Sequence, residues 1–281
     1  MSLSSIDSLL PSEMASKAES LGVTKVNFPV SKVLTLAMLA GAFIAFGAVF
    51  FITVTTDSVL SYGLTRLLGG ISFSLGLILV VIGGAELFTG NNLIVMAWAN
   101  NKITTSQLLK NWCLVYAGNC LGALFIAGLM LFSRQYLAAS GKVGMNLLHL
   151  AKVKCDLNFI EAMASGILCN ILVCLAVWLC FSSTSVTGKV VSIVFPVSAF
   201  VACGFEHSVA NMYFIPKAIW LLHQQDPVIN SLIAASGENY DGITWKNFLL
   251  NNLLPVTLGN IIGGAVLVGM IYWFVYLRKK Q

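Results

Sequence analysis

The amino-acid sequence predicts an all-α integral membrane protein of six transmembrane helices, arranged as two inverted three-helix repeats with broken second and fifth helices. Three observations lead there. Of 281 residues, 58% are hydrophobic and only 27 are charged, 16 basic and 11 acidic, which is more apolar surface than a soluble globule can hide. Gly84-Ala85-Glu86-Leu87-Phe88-Thr89-Gly90-Asn91 returns 120 residues later as Gly204-Phe205-Glu206-His207-Ser208-Val209-Ala210-Asn211, a duplicated G-x-E-x-x-x-x-N inside apolar surroundings. Finally, each repeat holds an odd number of spans, so the second copy must enter the membrane from the opposite face.

Residues 1–30 form the first segment. Ile6, Leu9, Leu10, Met14, Ala18 and Leu21 recur at helical spacing opposite Asp7, Glu13, Ser16, Lys17 and Ser20, with Pro11 near the start and Gly22 as a stop, so the segment reads as a short amphipathic helix. It is either a surface anchor lying among the lipid headgroups or a mobile cover for a pore mouth on the cytoplasmic face, which would lower flux at acidic pH. The transmembrane domain follows over residues 31–277. Its charge-free runs cover residues 33–56, 67–85, 111–133, 162–188, 190–205 and 247–277, where about 20 residues suffice for a helical span. The second and fifth spans are interrupted by their glutamates and resume over 87–101 and 207–216. Residues 278–281 are a short tail. No secretory signal is visible, because the first 30 residues are polar and the first apolar run already has full span length.

Other motifs repeat in the same order. Ala37-Met38-x-x-Gly41 in the first span pairs with Ala162-Met163-x-x-Gly166 in the fourth, and Gly118-Asn119-x-x-Gly122 in the third with Gly259-Asn260-x-x-Gly263 in the sixth. Small residues spaced by four let helix backbones approach closely. Sorting basic residues by loop puts Lys17, Lys25, Lys32, Lys102, Lys110, Lys189, Arg278, Lys279 and Lys280 on one side and Arg66, Arg134, Lys142, Lys152, Lys154, Lys217 and Lys246 on the other. Counted over termini and short connections, this bias directs both termini to the cytoplasm, with the basic third loop as the exception. The net charge of +5 is scattered over loops and carries no nucleic-acid signal. The seven cysteines include no C-x-x-C pair and read as small packing residues, neither disulfides nor metal ligands.

A carboxylate inside a span is costly and points to function by default. A chain break at membrane depth is tolerated only where the freed backbone groups are buried in protein or line a cavity, so Glu86, Glu206, Asn91 and Asn211 read first as anchors that bond loop amides. A proton relay is the alternative role for the glutamates. Thr89 and Ser208 suit caps for the half-helices that follow. Two half-helix N-termini directed inward favour an anion. His207 replaces Leu87 of the duplicated motif and is the only histidine deep in a span, so it is either a satisfied core residue or the polar contact of a pathway. A His207–Ser208 nucleophile pair lacks an orienting third group, and one intramembrane histidine with scattered cysteines offers no tetrahedral metal set. No cofactor is implied.

The runs 81–90 (VIGGAELFTG), 166–176 (GILCNILVCLA) and 204–212 (GFEHSVANM) resemble the signatures of the formate/nitrite transporter family. Leu21-Gly22-Val23-Thr24-Lys25, Tyr213-Phe214-Ile215-Pro216 and Thr257-Leu258-Gly259-Asn260 resemble its bacterial formate channel branch most. The resemblance implies an aquaporin-like bundle assembled as a homopentamer in the bacterial inner membrane, with a pore through each protomer, and no enzymatic activity. It implies a slit of Leu77, Leu87, Phe88, Thr89 and Val173, an opposite apolar constriction of Phe73 and Phe200, and His207 as central contact helped by Asn170 and Asn260. Lys154 would match the family's anion-attracting lysine. The expected substrate is formate or a similar small monoanion, moved passively or with a proton. Nitrite or hydrosulfide on the same fold, and a neutral solute such as water or glycerol, are the alternatives.

Overall fold

A computed structural model describes residues 8–278, so Ile6, Asp7, Lys279 and Lys280 lie outside the described residues. The described chain contains helices and no strand. Helix α1 (Pro11–Val26) opens with Pro11 in its first turn, and the Glu13 carboxylate accepts the Leu10 N–H at 2.8 Å. It runs straight through Gly22 and does not stop there. A β-carbon at Gly22 would lie 3.1 Å from the Ala97 side chain, so this glycine serves close packing and not termination. Met14, Ala15 and Ala18 pack against Met96 and Trp178. The centre of the apolar face of α1 is therefore covered by protein, while Leu10 and Leu21 stay exposed.

Five helices are long and apolar enough to cross a membrane: α2 (Val30–Thr55), α3 (Tyr62–Gly83), α5 (Thr105–Phe132), α7 (Phe159–Ser182) and α11 (Asn247–Tyr276). α3 ends at Gly84 in the left-handed region (φ 78°), and the chain resumes only as a 3₁₀ turn (Gly90–Ile94) and the short α4 (Val95–Ala99), less than the half-helix expected over 87–101. The second break is better formed. α8 (Val186–Ala202) of 17 residues gives way at Gly204 (φ 76°) to α9 (Ser208–His223). The fourth span does not fill its charge-free run to Gly188, because α7 stops at Ser182 and the Ser185 side chain caps α8 through the Gly188 N–H at 3.0 Å. Serine and threonine lack charge yet compete for backbone partners, so an uncharged run overstates a helix. The connections hold α6 (Lys142–Cys155) and α10 (Pro227–Ser236).

On α5, Leu121, Phe125, Leu129 and Phe132 form an exposed apolar stripe, as expected of a lipid or subunit face. Inside, small residues set the distances between helices. β-carbons at Gly41 and Gly122 would overlap the backbones of Asn119 and Met38, and those at Gly259 and Gly263 the backbones of Met163 and Ile167. These contacts also correct the sequence alignment of the halves. Asn119 donates to Ala37 O and Asn260 to Gly166 O, each at 2.8 Å, so Gly166 corresponds to Ala37 and not to Gly41. Small residues recur every four positions along these helices, and a motif read from them slides by one turn.

Candidate functional site

Each broken helix is tied by the same set of polar contacts. At the first, the Asn119 amide donates to Ala37 O at 2.8 Å and Glu86 O at 2.9 Å while its oxygen accepts the Phe88 N–H at 2.9 Å. At the second, the Asn260 amide donates to Gly166 O at 2.8 Å and Glu206 O at 3.0 Å while its oxygen accepts the Ser208 N–H at 3.0 Å. One asparagine thereby satisfies three backbone groups that the break leaves open, as burial demands. Asn170 then ties the first break to α11, donating to Asn260 O at 2.6 Å and to Thr89 O at 3.3 Å. Asn170 and Asn260 thus act on backbone and do not line the cavities described below.

The glutamates form matched clusters. Glu86 accepts from Asn91 at 2.7 Å and pairs with Lys25 at 3.1 Å, and Asn91 also donates to Asn111 at 3.1 Å. Glu206 accepts from Asn211 at 2.7 Å and pairs with Lys154 at 2.6 Å, and Asn211 also donates to Asn252 at 2.7 Å. Both carboxylates are buried, and a buried charge persists only when paired and hydrogen-bonded. Lys154 is therefore held by a counter-charge. Lys25, Asn111 and Asn252 escaped the sequence reading of the site. A signal for the asparagines existed: Asn111 precedes Asn119, and Asn252 precedes Asn260, by eight positions in each case. Lys25 carries no such signal, since its partner lies 61 positions away on another helix.

A cavity of about 280 Å³ lies beneath α1, lined by Ala18, Leu21, Lys25, Leu77, Glu86 and Leu87 among others. A second, of about 230 Å³, is lined by Arg66, Phe73, Lys154, Phe200, Glu206 and His207 among others. Between them is a void of only about 10 Å³ enclosed by Ile44, Phe73, Leu77, Leu87, Val173, Val197, Phe200 and His207, about the size that admits one water. Most of the expected pathway residues thus converge on one neck. Phe88 and Thr89 do not, both lying outside all three cavity linings: the Phe88 ring stacks edge-on against Tyr116 at 4.9 Å, and Thr89 is buried and reaches the neck only through its contact with His207.

His207 is the polar member of the neck. It is buried and stacks on Phe200 with centroids 6.0 Å apart. It is also the N-cap of α9, its Nδ1 accepting the Ala210 N–H at 3.1 Å. A neutral ring that accepts through Nδ1 carries its proton on Nε2, which stands 3.0 Å from the Thr89 hydroxyl. The Thr89 O–H then has no acceptor among the described residues and is the free donor at this point. Neither expected side-chain cap forms: Thr89 stands at the N-cap of the 3₁₀ turn but makes no capping bond, and Ser208 Oγ has no partner among the described residues, because His207 takes the N-cap of α9.

Known proteins resemble this chain over nearly its whole length. A model of the formate/nitrite transporter family matches residues 12–274. The formate channel FocA of Escherichia coli strain K12 is 48% identical over 276 residues, covering 98% of this chain and 97% of the relative. FocA of Haemophilus influenzae is 43% identical over 280 residues, covering 99% and 98%. Among solved structures, a pentameric formate channel with formate bound gives a TM-score of 0.82 at 45% identity, over 89% of this chain and 98% of that chain. These relatives are channels and not enzymes, and with the apolar outer faces of its long helices this chain is a membrane protein. Matched over nearly its whole length, the chain belongs to the formate/nitrite transporter family.

Proposed function

We propose that the protein moves formate and similar small monovalent anions across the bacterial inner membrane, as a homopentamer with one pore in each protomer. The observation that carries this reading is the neck itself: two cavities meet at an apolar ring in which His207 is the polar lining residue, its Nε2 on the buried Thr89 hydroxyl. Six spans in two inverted repeats, in an aquaporin-like arrangement with both termini cytoplasmic, account for the matched Asn119/Asn260 and Glu86/Glu206 clusters. The functional units are α1 with its leader (1–30), the transmembrane body (31–277) and the tail (278–281).

In this mechanism Leu77, Leu87 and Val173 close the neck toward α1, and Phe73 and Phe200 close it toward the other cavity. A bare anion in that ring is disfavoured by several kcal/mol. Formate therefore crosses it as the neutral acid, its carboxyl oxygen accepting from Thr89 while His207 holds the threonine in place. The proton comes with formate from cavity water. Protonating His207 at Nδ1 would set a second N–H against that of Ala210, so the ring acts as a positioned donor. Lys154 and the half-helix N-termini attract the anion, and Glu86, Glu206, Asn91 and Asn211 anchor the loops. Purified protein in liposomes tests the reading: formate flux above that of protein-free liposomes is expected. Preference for nitrite or hydrosulfide, or water flow without formate flux, would overturn the formate assignment.

A further inference from the structure

The two cavities differ in net charge. Beneath α1, the charged lining residues are Lys25 and Glu86, which pair with each other at 3.1 Å. In the cavity on the His207 side, Lys154 and Glu206 cancel in the same way at 2.6 Å, but Arg66 also lines the wall. Arg66 has no carboxylate partner among the described residues. Its Nε donates to Ala202 O at 3.1 Å and its Nη2 to Val201 O, and Nη1 makes no hydrogen bond among those residues. The two carbonyls end α8, where the helix dipole is negative. They hold the guanidinium in place and, carrying only about half a negative charge, offset it in part. Its carbon lies 5.7 Å from the Phe51 ring, and a β-carbon at Gly204 would come within 3.4 Å of Nη2. The cation is thus fixed beside the glycine that opens the second break.

We infer that Arg66 is a docking residue for the transported monoanion, which makes the mouth on the His207 side the higher-affinity one. A guanidinium keeps spare N–H groups in a fixed fork that fits a carboxylate. A charge offset only in part, in a cavity with low-dielectric walls, also raises the local anion concentration. Lys154 cannot do this alone, because Glu206 already occupies it. The inference rests on the proposed formate transport and assigns the first contact on that side.

Formate flux in liposomes with oriented protein, measured against formate concentration from each face, tests it. Arg66→Gln should raise the half-saturating concentration about three- to tenfold from the Arg66 face, the range a partly exposed charge-assisted contact supports. The opposite face should keep the parent value. Arg66→Lys should restore most of the affinity, although a lysine cannot reproduce the two-carbonyl fork. In the unaltered protein, raising ionic strength should weaken affinity from the Arg66 face more than from the other, which holds even if Arg66→Gln fails to assemble. Equal affinity and equal salt dependence at both faces, or Arg66→Lys behaving like Arg66→Gln, would reduce Arg66 to a cap on α8. A parent protein that carries no formate would instead remove the functional reading beneath.

Discussion

Replacing His207 separates two roles that the structure gives to one ring. Nδ1 caps α9 through the Ala210 N–H, and Nε2 holds the Thr89 hydroxyl. His207→Asn places an amide oxygen near the Nδ1 position, which keeps the cap but does not reach Thr89. His207→Gln extends a donor toward the Nε2 position and gives up the cap. His207→Leu loses both. A lost N-cap costs about 0.5–2 kcal/mol, and leaving the buried Thr89 hydroxyl without its partner costs about 1–3 kcal/mol. His207→Leu should therefore be destabilised by about 1.5–5 kcal/mol, the sum of those two terms. Flux follows the donor. A hydrogen bond between neutral partners is worth about 0.5–1.5 kcal/mol, which at about 1.4 kcal/mol per factor of ten predicts a fall in formate flux of roughly 2- to 12-fold in His207→Leu and His207→Asn. His207→Gln should keep flux closer to the parent while melting earlier than His207→Asn. Flux in liposomes and thermal unfolding in detergent measure the two properties separately. If flux tracked stability across the three variants, the histidine would be only a helix cap, and the role assigned to Nε2 would be wrong.

Other consequences are as direct. Asn260→Ala should prevent assembly or cost at least about 3 kcal/mol, because it strands the Gly166 and Glu206 carbonyls and the Ser208 N–H together at about 1–3 kcal/mol each; a parent-like melting temperature would contradict the clamp. Lys217 is buried, and its ammonium bonds only Tyr213 Oη, at 3.0 Å, among the described residues, so Lys217→Met should raise the melting temperature, by about 1–4 kcal/mol in stability if the charge is uncompensated; a lower one would mean a hidden partner. Burial alone would raise the Asp226 carboxyl, but the Val228 N–H, the Tyr136 hydroxyl and the Arg134 guanidinium hold it below its ordinary value. That contribution is full above the unfolded carboxylate value and is lost as pH falls through the lower folded one, so the melting-temperature gap between parent and Asp226→Asn should be wide at neutral pH and close in strong acid. Deleting residues 1–28 removes the helix that covers the larger cavity and the Lys25 partner of Glu86, and should leave formate flux high at acidic pH; an unchanged pH profile would make α1 a passive cover.

Much of this architecture was legible because two signals were strong. Apolar runs of span length gave the helices, and a glutamate inside two of them gave the breaks, since few other reasons place a carboxylate there. What stayed hidden depended on distance in sequence. Lys25 meets Glu86 only because α1 folds back over the body, and no local pattern encodes that contact. Helix α1 starts at Pro11 as its pattern predicts, but Gly22 is not its stop: the missing side chain is what lets α1 approach Ala97. The 182–185 boundary was missed because serine and threonine look neutral to a charge count while competing for backbone hydrogen bonds. The Gly166 register slipped by a turn because small residues repeat at the helical period. The roles of Thr89 and Ser208 as caps were plausible chemically, yet His207 took the position with a ring nitrogen.

The account stands on formate crossing the neck as a neutral species beside His207 and Thr89. Proton movement measured together with formate movement in liposomes tests this most directly. With equal pH on both sides, a formate gradient alone should acidify the receiving compartment, a proton entering with each formate, above the leak of protein-free liposomes and without net current. Formate flux that carries current and leaves internal pH unchanged would mean that the bare anion passes the neck, contrary to the mechanism proposed.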